Sequence, residues 1–92
     1  MDFTHVDGSN KGKVTLYALS TCNWCRMTRD LLTELGISFD YVYVDQLKGK
    51  ERDKMVDEVK RYNSRVSFPT VLINDKTIVG FREKEIREAL KA

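Results

Sequence analysis

Val14-Thr15-Leu16-Tyr17-Ala18-Leu19-Ser20-Thr21-Cys22-Asn23-Trp24-Cys25 is where the chain changes period. Val14 to Leu19 is a short, mostly apolar run of strand formers, the pattern of a strand buried on both faces. From Asn23 onward Trp24, Met27, Leu31, Leu32 and Leu35 recur at helical spacing, with Arg26, Arg29, Asp30, Thr33 and Glu34 between them. The junction holds both cysteines of the chain, three residues apart. A thiol at a helix N-terminus is easier to ionise than a free one, because the unsatisfied N–H groups and the helix dipole favour a thiolate. The spacing also lets two thiols close a small disulfide ring.

Working outward, Gly36 ends the first helix as a left-handed cap. Ile37 to Val44 is dense in β-branched and aromatic residues, with Ile37, Phe39, Tyr41 and Tyr43 on one face, and reads as the next strand. Strand, helix and strand within so short a span make a βαβ unit with parallel strands and a right-handed crossover. Cys22 then lies at the carboxyl end of the first strand, the edge where open α/β sheets place ligands.

Asp45 to Asn63 is highly charged but keeps a helical apolar stripe of Met55, Val56, Val59 and Tyr62, as a surface helix with one buried seam does. Its charges read as a solvated face, with a non-catalytic adaptor surface around Lys50 to Lys60 as the rival. Val71-Leu72-Ile73 and Thr77-Ile78-Val79 flank the turn-forming Asn74-Asp75-Lys76 as a hairpin. After Gly80-Phe81, Glu83 to Leu90 returns to helical spacing through Ile86, Ala89 and Leu90. Residues 1–12 are polar and aperiodic and read as a flexible tail ahead of one domain spanning 13–92.

Ninety-two residues with 41% hydrophobic content support a single small core. A net charge of +2, with acids and bases interspersed, points away from nucleic acid and from an anionic membrane. No stretch approaches the length of a membrane span or carries the apolar core of a secretory signal, so the expected setting is cytoplasmic. There a two-cysteine pair is catalytic or metal-binding more often than a structural staple. Structural zinc needs about four ligands, against two cysteines and one histidine, His5, here. His5 reads as exposed and incidental. Disulfide exchange needs one exposed thiol to attack and a second to expel the mixed disulfide. Cys22, in the entering loop, is the expected attacker, and Cys25, inside the first turn, the resolver. Arg26 or Arg29 could add positive potential; Trp24 is either an exposed platform or the first knob of the apolar stripe.

The order β-α-β-α-β-β-α, the Cys22-Asn23-Trp24-Cys25 motif, Phe68-Pro69-Thr70 before the third strand and Gly80-Phe81 after the fourth resemble the glutaredoxin branch of the thioredoxin superfamily, from Lys13 to Ala92. The resemblance implies an α/β, thioredoxin-like fold with a four-stranded mixed sheet flanked by three helices and a cis Phe68–Pro69 bond. It also implies thiol-disulfide exchange on protein or small disulfides by a monomer, with no required cofactor. Thr21, Asn23, Trp24, Phe68, Pro69, Gly80, Phe81 and Arg82 are the implied substrate contacts.

Asn23-Trp24 stands where glutaredoxins usually carry Pro-Tyr, and Leu19 where many carry a basic residue for the carboxylate of glutathione. Val79-Gly80 replaces the common Gly-Gly pair, and Arg82-Glu83 stands where an acidic residue would meet the γ-glutamyl ammonium. Val79-Gly80-Phe81-Arg82 is instead similar to the Ser-Gly-Phe-Arg stretch of redoxins that serve ribonucleotide reductase and are recharged by a thioredoxin-type reductase. The expected reductant is therefore a small thiol, such as glutathione or coenzyme M, or a reductase. The alternative within the family is a carrier of a [2Fe-2S] cluster.

Overall fold

A computed structural model describes residues 3–91. Its elements run β1 (Thr4–Val6), β2 (Val14–Ala18), α1 (Asn23–Glu34), β3 (Phe39–Tyr43), a 3-10 turn (Val44–Gln46), α2 (Gly49–Tyr62), β4 (Thr70–Ile73), β5 (Lys76–Val79) and α3 (Glu83–Lys91). The strands form one sheet in the order β1-β3-β2-β4-β5. β2 and β3 are parallel, as a βαβ unit requires, whereas β4 runs antiparallel to β2, β5 to β4 and β1 to β3. Among the described residues no helix is long and apolar enough to cross a membrane.

All five residues of β2 are buried because helices cover both faces of the sheet. The pleat sends Val14, Leu16 and Ala18 to one side, where they pack with Phe39, Val71, Ile73 and Ile78 under Leu31 and Leu32 of α1 and Ile86 and Leu90 of α3. Tyr17 points the other way, into a second cluster with Val42, Val44 and the α2 seam, Met55 and Val59. The phenol of Tyr17 donates to Glu58 Oε2 at 2.6 Å, tying α2 to the central strand. Burial, reinforced by that carboxylate, pushes the phenol well above its ordinary range.

The structure changes the sequence expectation at the N-terminal side. The sheet has five strands, because Thr4–Val6, read as tail, pairs with β3 at Thr4↔Tyr41, His5↔Asp40 and Val6↔Phe39. Three residues are too few to display a period of two. This strand exists because β3 otherwise offers an unpaired edge. His5, expected to be incidental, faces Asp40 across the ladder with Nδ1 2.7 Å from Oδ1, and its Nε2 lies 3.1 Å from Asp7 Oδ1. The Asp40 hydrogen bond, opposed by desolvation and supported by the Asp40 and Asp7 charges, raises the pKa of this exposed imidazole above 6.5.

The second helix occupies only part of the Asp45 to Asn63 segment. Val44–Gln46 turns away from the sheet first, and Gly49, at φ 58°, opens α2.

Candidate functional site

The thiols sit where β2 hands over to α1. Cys22 is the N-cap, with extended backbone (φ −87°, ψ 118°). Its carbonyl accepts the first helical bond from Arg26 N, and its Sγ accepts the N–H of Cys25 at 3.2 Å. Sulfur thus takes the place a Ser or Asp oxygen fills in an ordinary cap, satisfying one of the helix's orphan donors. Cys22 is partly exposed, Cys25 is buried, and both are free thiols. Burial, followed by the hydrogen bond with Cys22, pushes the Cys25 thiol up to about 12. Cys25 is therefore protonated at neutral pH and inaccessible, which leaves Cys22 as the sulfur an outside molecule can meet.

The turn before Cys22 is held by a residue that sequence reasoning missed. Asp45 accepts the Ser20 amide on Oδ1 at 2.8 Å and the Ser20 hydroxyl on Oδ2. Desolvation pushes its carboxyl up, but the two Ser20 bonds and the Arg52 charge outweigh it and leave the pKa below 3.8. The available signal was register: β2 and β3 are parallel with Ala18 opposite Tyr43, so two residues further Ser20 comes opposite Asp45.

The facing wall is the loop before β4. Phe68–Pro69 is cis. Pro69 is fully buried, and its carbonyl accepts the Gly80 amide at 2.8 Å. Gly80 has φ +88° with open space where a side chain would sit, so the backbone conformation, not crowding, requires glycine there. The loop is anchored from behind by buried Asn63. Its Nδ2 donates to Ser67 O at 3.1 Å, Ser67 Oγ at 3.0 Å and Thr70 Oγ1 at 3.1 Å, while Oδ1 accepts Arg65 N at 3.2 Å. Thr70 Oγ1 in turn donates to Ser67 O at 2.8 Å. Asn63 was legible only as a helix end. Val66, inside the anchored loop, takes φ 50°, a costly conformation for a β-branched residue.

Beside this loop lies a cavity of about 260 Å³ lined by Trp24, Phe68, Pro69, Gly80 and Phe81, five of the expected contacts brought together; Trp24 comes from the first turn of α1, two residues beyond Cys22. Trp24 is the exposed platform of the two alternatives: 58% of it is accessible, and its ring stacks on Phe81 at 5.9 Å and 26°. The other three expected residues are peripheral. Thr21 is exposed in the turn before Cys22, and Asn23 faces outward. Arg82 turns its Nε to Val79 O at 3.1 Å and lies 3.9 Å from Glu85. Neither arginine of α1 is bonded to a thiol: Arg26 reaches Asn23 Oδ1 at 3.4 Å, while Arg29 donates to the Tyr43 hydroxyl at 2.8 Å and lies over the Tyr41 ring.

Comparison with known proteins bears on the family and the fold. The glutaredoxin family profile matches residues 14–78. The crystal structure of the glutaredoxin from Methanosarcina mazei Go1 is 58% identical with a TM-score of 0.90, the match covering 100% of this chain and 90% of that one. Methanosarcina acetivorans methanoredoxin is 51% identical at a TM-score of 0.89, over 92% of this chain and 90% of that one. The glutaredoxin-like protein NrdH of Lactococcus lactis is 30% identical over 73 residues, which are 79% of this chain and 93% of the relative.

Proposed function

Because the chain belongs to the glutaredoxin family of thiol-disulfide oxidoreductases, we propose that it reduces protein or small-molecule disulfides by dithiol exchange, with Cys22 attacking and Cys25 resolving. The observation that carries this reading is the asymmetry of the pair: one sulfur partly exposed at a helix N-cap, the other buried and held as a thiol one turn away. In the first step the Cys22 thiolate attacks one sulfur of a substrate disulfide. A Cys22–substrate mixed disulfide forms, and the other half leaves as a thiolate. The cis Phe68–Pro69 loop and the Trp24–Phe81 stack form the walls against which the bound half rests.

In the second step Cys25 gives up its proton as it attacks Cys22 Sγ. The remaining half departs and takes a proton as a thiol, and the protein is left with a Cys22–Cys25 disulfide. Two electrons and two protons return it to the dithiol, from a pair of small thiols or from a reductase. Thr21, Asn23 and Arg82 lie around the mouth of this path as secondary contacts.

Replacement of the two cysteines tests the scheme. Cys22→Ser loses disulfide-reductase activity. Cys25→Ser completes the first step only, and accumulates a mixed disulfide visible as an added mass on the intact protein. Activity retained by Cys22→Ser would refute the assignment. Offering the oxidised protein glutathione with its reductase, coenzyme M, thioredoxin reductase and a ferredoxin-linked system in parallel identifies the reductant. Its reduction potential is expected between about −270 and −200 mV, the span from thioredoxin to glutaredoxins.

A further inference from the structure

Phe81 serves more than the cavity at Pro69. That ring also lines a second and larger depression of about 540 Å³, whose other walls are Met27, Asp30, Leu31, Glu34 and Glu83. The depression runs along α1 toward α3. Trp24, Met27 and Leu31 follow one another at three- and four-residue steps, so they form one stripe leading away from the redox end of the helix. The apolar part of its lining is Met27, 40% exposed, with Leu31 and Phe81. An exposed methionine is a flexible, polarisable surface suited to side chains of varied shape.

The polar residues of this wall have one sign. Asp30, Glu34 and Glu83 are carboxylates, and among the described residues no basic one lines the groove, although the whole chain carries a net charge of +2. Arg87 partly offsets them at the α3 side, 2.9 Å from Glu83 and 4.0 Å from Glu34. Asp30 has no ion-pair partner among the described residues. From Trp24 to Glu34 the helix rises about 15 Å, the length of four to five residues of extended chain.

We propose that this groove is a docking track for the protein substrate, taking an extended segment beside the substrate's reactive cysteine that carries basic residues around an apolar anchor. The inference rests on the dithiol-exchange reading and adds the substrate class to it. Apolar contact with Met27 and Phe81 holds the segment, and Asp30 and Glu34 select its charge. Phe81 lines both this groove and the cavity at Pro69, and Cys22 caps the same helix, so a segment lying along α1 runs toward Cys22. A small thiol filling only the cavity at Pro69 gains nothing from the groove.

The test uses the pre-reduced protein in single turnover against three fluorescence-quenched disulfide peptides. They differ only in the residues flanking a leucine beside the cysteine: Lys, Gln or Glu. Each rate is divided by that of the Gln peptide with the same protein, so a general loss in any variant cancels. The expected result is a preference of about tenfold for the Lys over the Glu peptide, from two surface charge contacts reversed in sign. That preference shrinks at high salt. Asp30→Asn/Glu34→Gln flattens it and Asp30→Lys/Glu34→Lys inverts it. Equal rates for the Lys and Glu peptides, or a Lys preference that survives charge reversal, overturns the proposal. Failure to reduce any of the three sinks the dithiol reading, and the docking track with it.

Discussion

Asn63 makes no contact with the redox cavity, yet its replacement should be felt both in stability and at the cavity wall. The Nδ2 group has two hydrogens for three acceptors, Ser67 O, Ser67 Oγ and Thr70 Oγ1, so it supplies two full hydrogen bonds, one of them shared. With the Arg65 amide on Oδ1, Asn63→Ala removes three bonds at a site only 8% exposed, where water does not readily replace them. At about 1 kcal/mol each the loss is about 3 kcal/mol. For a domain of this size that lowers the melting temperature by about 12–24 °C. Thr70→Val keeps the shape but deletes the hydroxyl that donates to Ser67 O and accepts from Asn63. It should cost about 1–2 kcal/mol. The double variant should fall short of the sum by about 1 kcal/mol, because the Asn63–Thr70 bond is counted in both. Urea and thermal unfolding followed by far-ultraviolet circular dichroism measure the free energies and melting temperatures of all three. A shift below about 4 °C for Asn63→Ala, or strict additivity with Thr70→Val, would falsify the view that this network holds the Phe68–Pro69 loop.

Other consequences are simpler. Gly80→Ala has room for its methyl but not the backbone freedom for φ +88°, so it should cost about 1–2 kcal/mol, read as a melting-temperature drop of about 4–16 °C. Asp45→Asn should be less stable than the parent at neutral pH. Because the folded Asp45 pKa lies below 3.8, that difference is fully present above 3.8 and fades as pH falls through the folded value; a difference constant across the acid range contradicts the Ser20 clamp. The His5 pKa is raised above 6.5, so its hold on β1 is complete below 6.5 and is lost as pH rises through the folded value. Amide-exchange protection factors of Thr4 to Val6 should therefore step down on the alkaline side, and His5→Gln should remove the step.

The central βαβ unit was readable because each element is long enough to show its period and its helix is closed at both ends, by Cys22 at the start of α1 and by Gly36, at φ 69°, after its last turn. The cysteines were readable because their spacing carries its own chemistry. What was not readable depends on partners far along the chain. Asp45 serves Ser20, 25 residues away, through a strand register that no local pattern encodes. Arg29, close to the thiols in sequence, is claimed instead by Tyr43 on β3. Trp24 matched the helix's apolar spacing but lies one residue ahead of Cys25, the first residue of α1 to be buried, so its ring finds Phe81 rather than the core. β1 was invisible because its formation is decided by β3, not by Thr4 to Val6 themselves.

That same β1 has a consequence for self-association. With it in place, the open edges of the sheet are a three-residue strand and the four-residue β5, both too short to template a long ladder with another molecule. Peeling β1 away would uncover the whole of Phe39–Tyr43, a five-residue segment with three aromatic side chains and one charge. Such an edge invites strand addition from a second copy. The His5–Asp40 pair, which closes this edge, thus acts as a guard on colloidal behaviour. Loss of β1 should reveal itself first as concentration-dependent light scattering.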